Sequence, residues 1–284
     1  MSNVDATRPP RPAPPRAADA VASSTAFGWL RTAGGMGWLF LVAAREALTP
    51  PRGYWRAAVV EMSLTVQRCV LPLAVVATVF VIGFGFFVLG GITEVLGASD
   101  REGGAVIVGL MREMAIWTTG MVFAGVAGSA MAADIGSRKA REELDALDVL
   151  GVDKIRMLVV PKVVAGALIC PVLGMLCVLF LELANAVLAP GQFGYSREVL
   201  FASTRGSLTA LDIYGALIRF VIIGAMVAVV ASYKGLTASG GTEGVGRAVN
   251  QTIVVSFALI WGFDAFFNLA YLSLFPDAQV SFKG

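Results

Sequence analysis

Four ionisable side chains lie inside long apolar runs, and they are the residues of this chain best placed to do chemistry. Arg112 and Glu113 begin one run, Arg219 lies within a second, and Asp264 lies within a third. A charged group at membrane depth is unfavourable unless it is paired or faces a polar cavity. Arg219 and Asp264 could pair with each other, which would be a structural role. Arg112 could bind a lipid phosphate, or extend with Glu113 to the lipid headgroups.

The chain shows no further pattern typical of catalysis, metal binding or nucleotide binding. Histidine is absent, and the three cysteines lie in apolar runs without CxxC spacing. No nucleophile is visibly paired with a base. Residues 239–246 (SGGTEGVG) are glycine-rich but lack the Lys-Ser/Thr of a phosphate-binding loop, so they predict a close-packed loop. We therefore predict no catalytic residue, no metal site and no cofactor in this chain. The net charge of +2 gives no indication of nucleic-acid binding.

A densely charged segment, residues 137–161, separates two apolar runs. Read as a helix over 137–151, it carries acidic residues on one side and leucines at a spacing of three. Gly151 stands where a helix-ending glycine is expected. Two interpretations remain open. The leucines could pack on the membrane domain, or they could enter a groove on a partner while the acidic residues meet its basic rim.

The composition defines the elements that must position these residues. Of the chain, 57% is hydrophobic and 15% is charged, which predicts an all-α integral membrane protein. Runs of about 20 apolar residues predict five membrane helices. Residues 1–26, rich in Pro and Arg, predict a disordered cytoplasmic tail, and residues 27–56 predict one or two interfacial helices. An additional span within 29–44 is the alternative. The five predicted membrane helices cover residues 57–93, 104–135, 155–188, 209–235 and 249–275.

The distribution of Lys and Arg predicts the orientation. These residues are concentrated before residue 57, in segment 137–161 and between the last two membrane helices. Because basic loops stay in the cytoplasm, we expect a cytoplasmic N-terminus and an extracytoplasmic C-terminus.

The second membrane helix carries small residues at every fourth position, which allow a close helix–helix approach in lipid. The neighbour could be another span of this chain or a second subunit. These positions are Gly120, Ala124, Gly128 and Ala132.

Several stretches together resemble a known family. They are REM at 112–114, AGVAGSAMAADIG at 124–136, EELDALDVLGVDKIRMLVVPKVVAG at 142–166 and SGGTEGVGRAV at 239–249. They are similar to the MlaE/YrbE permeases, membrane subunits of ABC transporters that act on lipids together with Mce-domain proteins. The Ala/Val/Arg-rich sequence and its proline-rich tail resemble an actinobacterial, mycobacterial-type YrbE protein.

The resemblance implies a multi-pass protein of the cytoplasmic (inner) membrane that works in a complex. Its partners would be a second YrbE-type permease in a heterodimer, a dimer of ABC ATPases, Mce proteins forming an extracytoplasmic tube, and membrane lipid. The ATPase would bind ATP and Mg²⁺, so this chain would be a non-catalytic subunit. The cargo would be hydrophobic lipids such as fatty acids, mycolic acids or sterols, and the direction would be import.

The resemblance also implies two sets of site residues. A coupling helix at 142–150 would dock on the ATPase, through Glu142, Glu143, Leu144, Asp145, Leu147, Asp148 and Leu150. A lipid pocket would be lined by Phe80, Phe84, Phe87, Arg112, Glu113 and Trp117.

Two other functions remain as alternatives. An ion-coupled secondary transporter would use Asp264, Glu113 or Glu182 along an ion path. A non-transporting membrane anchor would only hold the ATPase and the Mce proteins.

Overall fold

The structure, a computed structural model, describes residues 25–48 and 53–274. Within these ranges it contains helices and short turns and no β-strand. The predicted tail at 1–26 lies outside the described residues except for its last two positions. The helices of the described part are α1 (Thr25–Ala47), α2 (Trp55–Val95), α3 (Ser99–Ala140), α4 (Glu143–Val149), α5 (Ile155–Phe193), α6 (Arg197–Ser207), α7 (Ala210–Leu236) and α8 (Gly241–Leu274).

Helices α2, α3, α5, α7 and α8 are each long and apolar enough to cross a membrane. This confirms the predicted all-α class with five membrane helices. Helices α2, α3 and α5 contain π-helical turns and remain continuous. At 42 residues, α3 is about twice the length that a bilayer core requires, so it extends beyond the apolar layer. One end of the bundle carries α4 and the other carries α6; we call them the α4 end and the α6 end.

Helix α1 is not among the five spans found in the described part of the chain. It packs against α5 and α7 through Met36, Leu39 and Ala43, which are buried. The predicted interfacial region 27–56 is therefore divided: its first part forms α1, and Trp55 and Arg56 begin α2. The Tyr54 hydroxyl donates a 2.7 Å hydrogen bond to the Ala47 carbonyl oxygen and so ties the start of α2 to the end of α1.

The glycine-rich segment 239–246 is mostly helical, and its interpretation as a loop is wrong beyond Gly240. Helix α8 begins at Gly241, eight residues before the predicted start at 249. Gly240 and Gly241 adopt positive φ angles of 91° and 64°, which turn the chain into the helix. Arg247 then stabilises the first turns because its guanidinium bonds to the Glu243 carboxylate (2.8 Å) and to the Ser239 carbonyl oxygen (3.1 Å).

Helix α7 lies at the centre of the bundle, in contact with α1, α3, α5 and α8. Its crossing with α5 requires glycine, because a Cβ on Gly166 would lie 2.5 Å from the Gly224 carbonyl oxygen. Helix α3 approaches α7 and α8 in the same way. A Cβ on Gly128 would lie 2.9 Å from Val227, and Gly120 faces Ile260. Ala124 and Ala132 are buried between them. The small-residue stripe thus packs against other spans of this chain.

Candidate functional site

Helix α4 is shorter than predicted and is set off by a sharp turn. The expected helix over 137–151 is divided, because residues up to Ala140 belong to α3 and α4 covers only Glu143–Val149. Glu142 causes the break: its φ of 60° is the only positive φ of a non-glycine residue in the described ranges. Glu143 then bonds to Arg141 at 2.7 Å, which stabilises the turn.

The apolar side chains of α4 do not share one face. Leu144 is only 4% exposed and packs inward. Val149 and Leu150 are 88% and 74% exposed. Since each helical residue rotates by about 100°, Leu150 stands about 120° around the helix axis from Leu144. Leu144 therefore holds α4 on the bundle, and Leu147 is half-buried. The apolar surface open to a partner is formed by Val149 and Leu150.

The acidic side chains of α4 also divide into two groups. Asp148 is bonded to Lys154 at 2.7 Å, and Glu143 is bonded to Arg141 and lies near Arg138. Glu142 and Asp145 are exposed and have no recorded ionic partner in the described residues. The carboxylates open to a basic partner are therefore these last two.

A chain of ion pairs connects α4 to three spans. Arg138 on α3 lies 3.9 Å from Glu143 and 3.1 Å from Asp134. Asp134, which is also on α3, lies 3.0 Å from the ammonium group of Lys162 on α5. Glu61 on α2 lies 3.0 Å from the same ammonium group. Lys162 is buried, and a buried cation is retained only with such partners. We call this group the α4-end ion chain. It was missed from the sequence, because a Lys near a membrane-helix end is expected to extend into water.

A second charged group lies between α3, α7 and α8. Arg219 and Asp264 form the ion pair that the sequence suggested, with 3.0 Å between Nη1 and Oδ1 and each side chain only 2% exposed. The same nitrogen donates to the Arg112 carbonyl oxygen at 2.5 Å, and the guanidinium lies 4.7 Å from the Phe267 ring centre. Close partners of this kind stabilise charges that lipid would otherwise disfavour.

The neighbours on α3 extend this intramembrane network. Arg112 donates to Asp212 at 2.9 Å, so its Nε has a protein partner and is not free for a lipid phosphate. Glu113 accepts a 2.6 Å hydrogen bond from Asn268. Trp117 donates to Asp264 at 2.9 Å and stacks on a second indole ring, that of Trp261, with 4.5 Å between ring centres.

Two members of the intramembrane network, Asp212 and Asn268, were not among the predicted site residues. Asp212 is the third residue of α7 and forms a capping box with Thr209, a pattern readable as Thr-x-x-Asp. Asn268 stands four residues after Asp264, on the same face of α8. The predicted lipid pocket stays a prediction. Phe80 and Phe84 stack with 5.8 Å between ring centres, Phe87 is exposed, and Phe80 and Trp117 both pack against the hydrophobic core.

Comparison with known proteins identifies this architecture. A family model described as Permease MlaE matches residues 59–270, which is most of the chain. The chain belongs to the MlaE permease family. The match includes all five membrane helices in whole or in large part, together with α4, the α4-end ion chain and the intramembrane network. The predicted family resemblance is thereby confirmed at this level.

Individual relatives support the same assignment. The chain is 31% identical over 227 residues to TRIGALACTOSYLDIACYLGLYCEROL 1, a chloroplastic protein of Arabidopsis thaliana, covering 78% of this chain and 63% of that protein. It is 35% identical over 166 residues to a probable ABC transporter permease of Synechocystis, covering 58% of this chain and 63% of that protein. It is 29% identical over 168 residues to an intermembrane phospholipid transport system permease, MlaE, of Haemophilus influenzae, covering 59% of this chain and 64% of that protein. The matched region thus spans a little under two thirds of each relative.

Proposed function

We propose that this protein is the membrane-spanning, non-catalytic subunit of an ATP-driven lipid transporter, and that α4 docks on a separate ATPase which binds ATP and Mg²⁺. The observation that carries the proposal is α4 itself. It presents exposed Val149 and Leu150 together with the exposed acids Glu142 and Asp145, and it is anchored by Leu144. An exposed apolar pair with an acidic rim fits a partner groove with a basic edge.

The α4-end ion chain supplies a route by which a displacement of α4 would reach the spans. Glu143 contacts Arg138, which contacts Asp134, and Lys162 joins that carboxylate to α2. When ATP binding closes the ATPase, a rigidly held α4 would tilt α3 against α2 and α5. The ion pairs therefore have a positioning role in the coupling.

The cargo, direction and remaining partners follow from the family resemblance. We propose hydrophobic lipids (fatty acids, mycolic acids or sterols), import, a paralogous second permease and Mce proteins on the far side of the membrane. An open apolar groove of about 1180 Å³ between α1, α7 and α8 supports contact with acyl chains. It is lined by residues such as Met36, Phe40, Val229 and Val254. The Haemophilus relative is named for phospholipid transport, so mass spectrometry of lipids that copurify with the complex would separate these cargo classes.

The intramembrane network disfavours ion-coupled transport through two of the three candidate acids, Asp264 and Glu113. An ion path needs acidic groups that can release and bind an ion along it. Asp264 is instead bonded to Arg219 and Trp117, and Glu113 accepts a hydrogen bond from Asn268.

A matched pair of variants tests the docking of α4. Leu150 and Leu96 are 74% and 73% exposed, and Leu96 lies at the α6 end of the bundle. Leu150→Asp should abolish copurification of the ATPase, because it places a charge in the apolar contact. Leu96→Asp changes an equally exposed leucine and should leave ATPase binding unchanged. Retention of the ATPase by Leu150→Asp would refute docking through α4.

A further inference from the structure

Five oxygen-bearing side chains meet at the α6 end of the bundle, far from α4. Glu102 stands near the start of α3, Glu182 and Asn185 lie in the last third of α5, Tyr195 lies in the α5–α6 turn, and Thr204 lies on α6. The Tyr195 hydroxyl donates to the Glu102 carboxylate at 2.5 Å. The Thr204 hydroxyl donates to the Glu182 carboxylate at 3.2 Å. We call this group the α6-end oxygen cluster.

The cluster contains buried polar atoms that lack a hydrogen-bond partner. One carboxylate oxygen of Glu102, one of Glu182, and both the oxygen and the nitrogen of the Asn185 amide are in this state. Glu102 and Asn185 are fully buried. Neither Glu102 nor Glu182 has a recorded ion pair in the described residues. Buried polar groups are almost always satisfied, so atoms left open in this way mark a place where a ligand can bind.

The carboxylates of Glu102 and Glu182 both affect the Tyr195 hydroxyl. Burial, the hydrogen bond to Glu102, and the negative charges of Glu102 and Glu182 together raise the pKa of the Tyr195 phenol well above its usual range. The packing agrees: a Cβ on Gly103 would lie 3.0 Å from the Thr204 hydroxyl oxygen, so the partner of Glu182 lies beside the residue that follows Glu102. Asn185 lies close to the Glu102 carboxylate without meeting the geometry of a hydrogen bond. Two negative charges and one carboxamide thus converge where no basic side chain is recorded among the described residues.

Close packing holds the cluster in place. The backbone N–H of Gly104 donates to the Ser203 hydroxyl at 2.9 Å, which fixes α6 against the start of α3. A Cβ on Gly103 would lie 2.8 Å from the Leu200 carbonyl oxygen, so this contact requires glycine. Glu182, Tyr195 and Thr204 are only half-buried, so the cluster lies close to the protein surface.

We propose that the α6-end oxygen cluster binds a hard divalent cation of the Ca²⁺ class. Carboxylate and amide oxygens are the ligands that Ca²⁺ prefers, and waters complete its shell. The free oxygens of Glu102, Glu182 and Asn185 supply such ligands, and the two carboxylates neutralise a charge of two. The cation would fasten α3 to α5, and Thr204 would hold α6 beside it through Glu182. The inference stands apart from the docking of α4 and does not require the transport function.

Metal-dependent unfolding of the full chain in detergent tests the site. After removal of metals with a chelator, Ca²⁺ at about a hundred times its Kd should raise the Tm by about 5 °C. Mg²⁺ should raise it less, because Mg²⁺ demands near-ideal octahedral geometry. Glu102→Gln and Glu182→Gln should remove the Ca²⁺ effect. Glu198→Gln, which changes an exposed acid on α6, should keep it. Absence of a Ca²⁺ effect in the unaltered chain, or its persistence in both glutamine variants, would overturn the proposal.

A gain of affinity gives an independent readout. Asn185→Asp adds a third carboxylate, and it should tighten Ca²⁺ binding about tenfold or more, because Kd falls with the number of charged ligands. Terbium luminescence, with Tb³⁺ as the Ca²⁺ substitute and Ca²⁺ as the competitor, measures this directly. Unchanged or weaker Ca²⁺ competition in Asn185→Asp would contradict the site. Binding of the ATPase to α4 should be unaffected in every one of these variants, so failure here would leave the proposed function standing.

Discussion

The intramembrane network and the α4-end ion chain use the same kinds of side chain in opposite ways. In the network, Arg219 and Asp264 are each about 2% exposed, and Trp117 adds a further hydrogen bond to the acid. In the ion chain, Lys162 is the most deeply buried side chain, at 6% exposed, while Arg138 and Asp134 are 37% and 39% exposed. The side chains of the network bond to one another away from water, whereas those of the ion chain are reached by water and contact α4.

This difference shows how environment divides the roles of charge in a membrane protein. Lipid offers no alternative partner, so a charge between spans must be satisfied by the protein and then holds the spans in one arrangement. At the α4 end water can replace either partner, so ion pairs can break and re-form as helices shift. Rigidity is thus expected between α3, α7 and α8, and movement between α2, α3, α5 and α4.

The largest expected effect comes from breaking the intramembrane network. Asp264→Leu leaves the Arg219 guanidinium buried without its anion and should reduce the free energy of unfolding by about 3–5 kcal/mol. Thermal unfolding in detergent measures this loss.

The matched control replaces both partners. Arg219→Met combined with Asp264→Leu removes both charges, and it should recover most of the stability because apolar replacements of a buried pair are often neutral. If the double variant were as unstable as Asp264→Leu alone, the loss would come from packing, and the network would not be the source of rigidity.

The parts that the sequence could predict are those whose signal lies within one apolar run. Five spans follow from hydropathy, and Arg219 and Asp264 stand out as opposite charges inside such runs. The small-residue stripe is visible for the same reason. The helix that packs against the stripe cannot be predicted in this way, because residue spacing describes one helix and packing involves two. Asp212 was overlooked as a span-end residue, although its capping box was readable.

The errors arise where tertiary contacts override local preference. Glycines favour a loop at 241–246, yet Arg247 and the turn at Gly240 and Gly241 start α8 there. Glutamate carries no signal for the left-handed conformation of Glu142, so the break before α4 could not be anticipated. Leu144, Leu147 and Leu150 recur at a spacing of three, but packing against the other helices decides which of them is buried.

The second prediction concerns the buried member of the α4-end ion chain. Lys162→Met removes the cation between Glu61 and Asp134 and should cost about 1–2 kcal/mol of unfolding free energy, less than Asp264→Leu, because water can reach Asp134. The distinguishing readout is coupling. Since α4 is intact, the variant should still bind the ATPase but lose lipid-dependent stimulation of ATP hydrolysis. Normal stimulation in Lys162→Met would show that force does not pass through this chain of ion pairs.

The smallest effect is expected from the ion pair at the outer surface of α4. Asp148 and Lys154 are 51% and 37% exposed, so Asp148→Asn should reduce the free energy of unfolding by only about 0.5 kcal/mol. Binding of the ATPase should persist, because Leu150 and the exposed acids Glu142 and Asp145 are unchanged. The measurement is thermal unfolding alongside copurification. A loss as large as that of Asp264→Leu would mean that the α4 end is as closed as the intramembrane network. The contrast between a rigid and a movable half of the molecule would then fail.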